Sequence, residues 1–236
     1  MALSPSAWRV IIEGRKKYLI LKRAMDITIS TLVILFVFPW MIPLVAVCIK
    51  FTSRGPVFFK QKRVGYLGRK FWCYKFRTMQ VNDAADSLQA SEQDPRITPI
   101  GLFLRKSGMD ELPQFLNVWI GNMSIVGPRP HMMKDHRRFS ESIPQYRIRH
   151  FVKPGITGLS QVKGCRGEIA SLQAMRRRYK WDLYYAKHVS TVLDLKIMFQ
   201  TAGLMLYFFL PRKVKKPRDN GEKRFDPAVV PVKKIA

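Results

Sequence analysis

Two adjacent carboxylates, Asp110 and Glu111, stand just before a run with apolar residues at Leu112, Phe115, Leu116 and Trp119. That i, i+3, i+4, i+7 spacing predicts a helix with one buried face. Pro113 falls in its first turn, where a missing N–H costs nothing, and Asp110 takes the N-cap position. Capping alone would account for an aspartate there. A helix N-terminus, however, also presents free N–H groups and positive dipole charge, which draw phosphate in and keep a nearby carboxylate ionised. An ionised Asp beside a bound phosphate can attack it, as in other aspartyl-phosphate chemistry. The neighbouring Glu111 can hold a divalent cation that offsets substrate charge, since Mg²⁺ takes one or two carboxylates plus phosphate oxygens.

Phosphate chemistry also needs fixed positive charge. Lys75 and Arg77, two apart on a predicted strand, project from one face. Arg105 and Lys106 lie just upstream of the carboxylates. Arg129 sits between Pro128 and Pro130, whose rings restrict the backbone and fix the guanidinium for bidentate phosphate binding. With 42 Lys+Arg against 16 Asp+Glu, a net charge of +26, most basic side chains are solvated surface charges. These few are chosen by context instead. The charge implies an anionic partner, for which nucleic acid, anionic lipid and phosphorylated substrates all qualify. His131, His136, His150 and His188 show no metal-ligand spacing. Cys48, Cys73 and Cys165 form no C-x-x-C pair and read as reduced, buried small residues. Neither a Ser/His/Asp hydrolase signature nor a Walker loop is present.

The elements that must position these groups follow from patterning. Residues 1–23 form a basic leader. From Ile27 to Ile49 no charged residue occurs, a stretch of about 30–35 Å as a helix, enough to cross a bilayer. Pro39 interrupts it, with Pro43 one turn later. Both flanks are basic, so the positive-inside tendency assigns both ends to the cytoplasm. A re-entrant helix-break-helix over 24–50, broken at Pro39, is the preferred reading, and a straight span the alternative. Ser53-Arg54-Gly55-Pro56 is a turn. Val57–Phe59 and Phe71–Met79 read as strands around the basic loop Arg63–Arg69, and Asn82–Asp94 as a surface loop or short helix. A basic helix carries the stripe Leu172, Met175, Tyr179, Leu183 and Ala186. Ile197–Leu210 is short for a span and suits an interfacial or buried helix. Residues 211–236 read as a flexible basic tail near anionic headgroups. With no secretory signal, the catalytic region 51–210 is expected in the cytosol.

These segments, in order, are Lys22-Arg23-Ala24-Met25-Asp26, the broken apolar helix, Ser53–Phe59, Lys75-Phe76-Arg77-Thr78-Met79, Asp110-Glu111-Leu112-Pro113-Gln114, Val126-Gly127-Pro128-Arg129-Pro130 and Lys153-Pro154-Gly155-Ile156-Thr157-Gly158. Together they resemble the bacterial sugar transferases, the monotopic polyprenyl-phosphate phosphoglycosyl transferases, over roughly Lys22 to Gly203. The resemblance implies an α+β, mostly helical, membrane-embedded fold with one re-entrant helix, a small strand hairpin and amphipathic interfacial helices. It implies transfer of a sugar 1-phosphate from a UDP-sugar to undecaprenyl phosphate at the cytosolic face of the bacterial inner membrane. UMP would be released, and exopolysaccharide, capsule, O-antigen or glycoconjugate synthesis would begin there. By the same match Asp110 carries a covalent phosphosugar, Glu111 and Mg²⁺ assist, and Arg105 and Arg129, flanked by Pro128 and Pro130, hold phosphate beside the active-site strand of Lys75 and Arg77. The bilayer is then a partner, nucleic acid is not, and a homo-oligomer is compatible. Arg166-Gly167-Glu168, Trp181–Tyr185 and Asp194-Leu195-Lys196 resemble the UDP-hexose branch. Leu159-Ser160, Lys163 and Asn122 depart from that branch's usual residues. Many hexose-type relatives carry an N-terminal multi-span region, so this chain is expected to be a minimal form or a fragment.

Overall fold

The structure, a computed structural model, describes residues 14–81, 91, 94–167, 169 and 171–209. The expected tail at 211–236, the first thirteen residues of the leader and most of the 82–94 segment lie outside these.

The chain opens with a 37-residue helical segment, Lys16–Thr52. It consists of α1 (Lys16–Leu32), a π-helical turn (Val33–Val37) and α2 (Phe38–Thr52). In the turn the Phe38 N–H reaches back five residues to the Val33 carbonyl. Pro39 follows at once and has no N–H to offer the carbonyl four residues behind it, so the α ladder cannot pass this point unbroken. Leu32, Leu35, Phe36, Trp40, Leu44, Val47 and Phe51 are all exposed along this segment. Three of its polar side chains act as fasteners. Asp26 accepts from the Ser124 hydroxyl at 3.0 Å and the Ile125 N–H at 2.9 Å. Lys22 pairs with Asp194 at 2.8 Å, and Arg23 donates to the carbonyls of Val118 and Trp119 at 2.7 and 2.8 Å.

Next come β1 (Phe58–Val64) and β2 (Lys70–Phe76), an antiparallel hairpin in register from Phe58↔Phe76 to Val64↔Lys70. The first strand runs further than the hydrophobic pattern predicts, through the basic residues 60–63. Gln61 and Val64 turn inward, while the ammonium groups of Lys60 and Lys62 lie over the rings of Tyr74 and Trp72 at 5.8 and 5.0 Å. Cross-strand cation–π contacts of this kind let a charged strand edge pair well. The second strand stops at Phe76, short of the predicted Met79; Met79 instead bridges to Ile97.

Helix α3 (Pro99–Ser107) is capped by the Thr98 hydroxyl and ends at Gly108, φ 76°. After a 3₁₀ turn at Met109–Glu111 comes α4 (Gln114–Ile120). A short parallel pair, β3 (Ser124–Val126) and β4 (Gly155–Thr157), encloses α5 (Met133–Ser142) and a 3₁₀ stretch, Tyr146–Phe151. Helices α6 (Leu159–Val162), α7 (Leu172–Lys187) and α8 (Thr191–Phe209) complete the described chain. The fold is mostly helical. Its main hydrophobic cluster joins Cys73, Val118, Ile125, Val126, Tyr185, Ala186 and Ile197, with Ile29 of α1 against it. Another sets Val45 and Ile49 of α2 on Phe76 and Leu104, each such side chain contributing about 1.5–3 kcal/mol on burial.

The predicted stripe on α7 faces inward, with Met175, Tyr179 and Ala186 buried. The stripe on α4 does so only in part: Leu112 and Phe115 are half-buried against the hydrophobic clusters. Its buried face is Gln114, Asn117 and Val118, whereas Trp119 and Ile120 are more than half exposed. Asn117 tolerates full burial because β2 satisfies it: its Oδ1 accepts from the Tyr74 N–H at 3.0 Å, and its Nδ2 donates to the Trp72 carbonyl at 2.7 Å. The second apolar run is longer than its predicted Ile197–Leu210 core. α8 begins at Thr191, is long and apolar enough to cross a membrane, and leaves Val192, Phe199, Leu206 and Tyr207 exposed.

Candidate active site

Asp110 is not the cap of the following helix. A cap bond would come from the second or third residue after it. The third is Pro113, which has no N–H, and the Leu112 N–H is already spent on the Met109 carbonyl at 3.2 Å. The residues therefore form a tight 3₁₀ turn, entered through the left-handed Gly108 and closed by Pro113, from which α4 departs. No hydrogen bond reaches the Asp110 carboxylate from the described residues. Its nearest cation, the Lys75 ammonium, stands at 3.8 Å.

Glu111 is the opposite case. Its Oε1 accepts from Lys75 at 2.7 Å and from the Arg129 Nη2 at 2.5 Å, and its Oε2 accepts from the Arg129 Nη1 at 3.0 Å. Arg129 thus engages the carboxylate in a two-pronged grip. Burial resists ionisation of Glu111, but Arg129 and Lys75 more than offset it and hold the carboxyl well below the usual carboxylate range. For Asp110 the balance reverses. Burial pushes its carboxyl up, against the pull of Lys75 and with the repulsion of Glu111 adding to the shift. One carboxylate is a locked anion; its neighbour is unbonded and more basic than an ordinary Asp, the property a carboxylate nucleophile needs.

Position is set by elements far apart in sequence. Lys75 rides on β2, which Asn117 ties to α4 and so to the carboxylate turn. Arg129 is held by the parallel ladder: the Gly127 N–H donates to the Thr157 carbonyl at 2.9 Å and the Gly155 N–H to the Pro128 carbonyl at 3.1 Å. At Gly127 a Cβ would sit 2.2 Å from the Lys153 carbonyl oxygen, so the close strand approach requires glycine there. The Pro130 carbonyl accepts from Arg63 at 2.6 Å, and the Arg129 carbonyl accepts from Arg149 at 2.7 Å. Arg149 is in turn paired at 2.8 Å with Asp182, both almost fully buried.

Of the residues singled out from sequence, Lys75, Asp110, Glu111 and Arg129 meet. Pro128 and Pro130 flank Arg129 as backbone anchors. Arg105 lines the same cleft and is oriented by Thr78, to whose hydroxyl its Nε donates at 2.9 Å. Arg77 also lines the cleft, but its hydrogen bonds are to backbone. Its guanidinium donates to the Ser53 carbonyl at 2.8 Å and also to that of Arg54, at the exit of α2. The strand ends at Phe76, so the shared-face premise fails for Arg77, and its observed contacts are with that backbone. Asn117, Arg149 and Asp182 carry no local signal of their role, since each depends on a partner distant in sequence. Among the described residues no group of three or more His, Cys, Asp or Glu could hold a metal. A Mg²⁺ ion would therefore depend on Asp110 and the remaining lone pairs of Glu111, completed by ligand phosphate oxygens, a donor set Mg²⁺ accepts. The cleft around these groups has a volume of about 1470 Å³.

Asp110 and Glu111 thus stand beside a lysine and an arginine, in a chain with two helices long and apolar enough to cross a membrane. Residues 17–207 match the model of the bacterial sugar transferase family, and the chain belongs to that family. It is 46% identical over 184 residues to the UDP-glucose:undecaprenyl-phosphate glucose-1-phosphate transferase of Escherichia coli K12, covering 77% of this chain and 39% of that protein. It is 44% identical over 188 residues to the exopolysaccharide production protein PSS of Rhizobium leguminosarum bv. phaseoli, covering 78% of this chain and 94% of that one. A UDP-N-acetylgalactosamine-undecaprenyl-phosphate N-acetylgalactosaminephosphotransferase of Aeromonas hydrophila is 42% identical over 193 residues, covering 81% of this chain and 45% of that protein. The matched part thus spans about two-fifths of the E. coli protein's length.

Proposed function

We propose that this protein transfers a hexose 1-phosphate from a UDP-sugar to undecaprenyl phosphate, beginning the assembly of an exopolysaccharide, capsule, O-antigen or glycoconjugate. The observation that carries the chemistry is the contrast between Glu111, bonded on both oxygens, and Asp110, bonded on neither. An Asp110 oxygen attacks the sugar-bearing phosphorus of the donor; the Asp110 O–P bond forms as the bridging P–O bond breaks, and UMP leaves with that electron pair. A phosphate oxygen of the lipid then attacks the same phosphorus and frees Asp110. Lys75 and Arg129, fixed through Glu111, face the charge that builds on the phosphoryl oxygens. Mg²⁺ held by Asp110 and Glu111 would neutralise donor phosphate charge.

Membrane placement belongs to the same reading. Both ends of the Lys16–Thr52 segment attach to one body, Asp26 at Ser124 and the Ser53 carbonyl at Arg77, which supports a helix that enters the bilayer and returns at the cytosolic face. The exposed apolar residues of α2 and α8 would meet lipid. Purified protein supplied with Mg²⁺, undecaprenyl phosphate and a panel of UDP-sugars should release UMP with one or a few of them. Asp110→Asn should release none and form no phosphosugar adduct by mass spectrometry; undiminished release by that variant would refute the nucleophile.

A further inference from the structure

The cleft continues past Arg129 along a wall that the chemistry above leaves unused. Arg63 of β1, Arg166, and Arg178 of α7 line it, together with His131. Among the described residues no carboxylate lies within ion-pairing distance of any of these three arginines. Arg63 donates from Nη1 to the Pro130 carbonyl at 2.6 Å and from Nη2 to the Gln61 Oε1 at 2.8 Å, and its Nε is buried without a partner. Arg178 is 4% exposed and gives Nη2 to the Gly167 carbonyl at 3.1 Å. The nearby Asp182 is already taken by Arg149 at 2.8 and 3.1 Å. His131, also 4% exposed, spends Nδ1 on the Tyr146 hydroxyl and leaves Nε2 buried with no partner. Burial, then the repulsion of Arg129, lowers Arg178 to about 10. Buried charges are ordinarily paired. Arg178 is buried, Arg63 half-buried and Arg166 exposed at the cleft. The one described carboxylate on this wall, Asp135, acts on Arg63 and Arg178 from beyond ion-pairing distance. The wall therefore keeps an excess of positive charge that an anion from outside the chain would answer.

We infer that Arg63, Arg166, Arg178 and His131 form a second anion subsite, which holds the phosphate of the nucleoside monophosphate leaving group. This rests on the donor being a UDP-sugar. The other phosphate in the reaction, on the lipid, is better matched to a different part of the cleft. Leu102 of α3 and Met198, Ala202 and Met205 of α8 line that part, on helices with exposed apolar surface that a prenyl chain would favour. The arginine wall lets the monophosphate be retained after the bridging bond breaks, while Asp110 carries the phosphosugar.

Equilibrium dialysis with UMP tests this without turnover. Arg166→Gln, an exposed position whose replacement spares the core, and Arg178→Gln should each weaken UMP binding about 10–100-fold, the loss expected for a charged hydrogen bond. Arg178→Lys, which keeps the charge, should recover part of it and controls for folding. The UDP-sugar KM should rise in parallel, with the undecaprenyl phosphate KM within about twofold of wild type. Unchanged UMP affinity in both Gln variants, or a rise in lipid KM in place of donor KM, would overturn the inference. Wild type that binds UMP through these arginines yet releases none from any UDP-sugar would uphold the subsite and overturn the transferase reading instead.

Discussion

Glu111→Gln separates the anchoring of the site from its chemistry. Glu111 accepts three charge-assisted hydrogen bonds, at 2.5, 2.7 and 3.0 Å, and its side chain is 14% exposed. The isosteric amide keeps the volume, removes the charge and leaves Arg129 without its ion-pair partner and Lys75 with only Asp110, at 3.8 Å. Removing one partner of a buried ion pair costs about 3–5 kcal/mol. In a chain of this size each kcal/mol moves the melting temperature by about 2–4 °C, so the variant should melt about 6–20 °C lower at pH 7 in the same detergent. Because folding lowers the Glu111 pKa, the unfolded chain takes up the proton first. The stabilisation is therefore complete above the unfolded value of about 4.3 and drains away as pH falls towards the folded value. Wild type and variant should accordingly converge in acid, with the gap at pH 3 smaller than at pH 7. Release of UMP should fall at least about 100-fold, the effect of displacing a charge clamp by an ångström or so. Equal melting temperatures at pH 7, or a gap that stays constant down to pH 3, would refute the account of Glu111 as the anchor of both cations.

Two further outcomes follow from the architecture. Gly127→Ala would press a methyl group against the Lys153 carbonyl at 2.2 Å and prise β3 from β4; overpacking of this kind costs about 1–3 kcal/mol or more, and it should lower both the melting temperature and UMP release, whereas a fully active, equally stable variant would show that the ladder does not set Arg129. Lys16→Cys and Lys50→Cys, both at exposed positions, should resist a membrane-impermeant thiol reagent added from the periplasmic side, in a background lacking the native cysteines. Labelling of one of them would restore the straight span.

The residues that build this site were legible in the chain as separate pieces. The Asp110-Glu111 pair, the Pro-Arg-Pro segment and the lysine on an alternating strand each carry a local chemical signature, and the proline in the long apolar run marks where an α ladder must fail. Periodicity also identified the α7 stripe, because a helix core face repeats within the helix itself. What the residues could not specify locally was who meets whom. Arg77 looked equivalent to Lys75 by spacing, but the strand ends one residue before it and its guanidinium turns to the backbone at Ser53 and Arg54. Asp110 looked like a cap until the backbone placed Pro113 and an occupied Leu112 N–H where the cap donors should be. Asn117 joins the buried face of α4 because both its partners lie on β2, a bond set no helical period encodes. The parallel β3–β4 pair joins segments some thirty residues apart and is too short for an alternation signal, yet it aims Arg129. Residue chemistry is local and can be read along a chain; burial and pairing are properties of distant contacts, and they determine which of two like residues stands unbonded in the cleft and which is clamped.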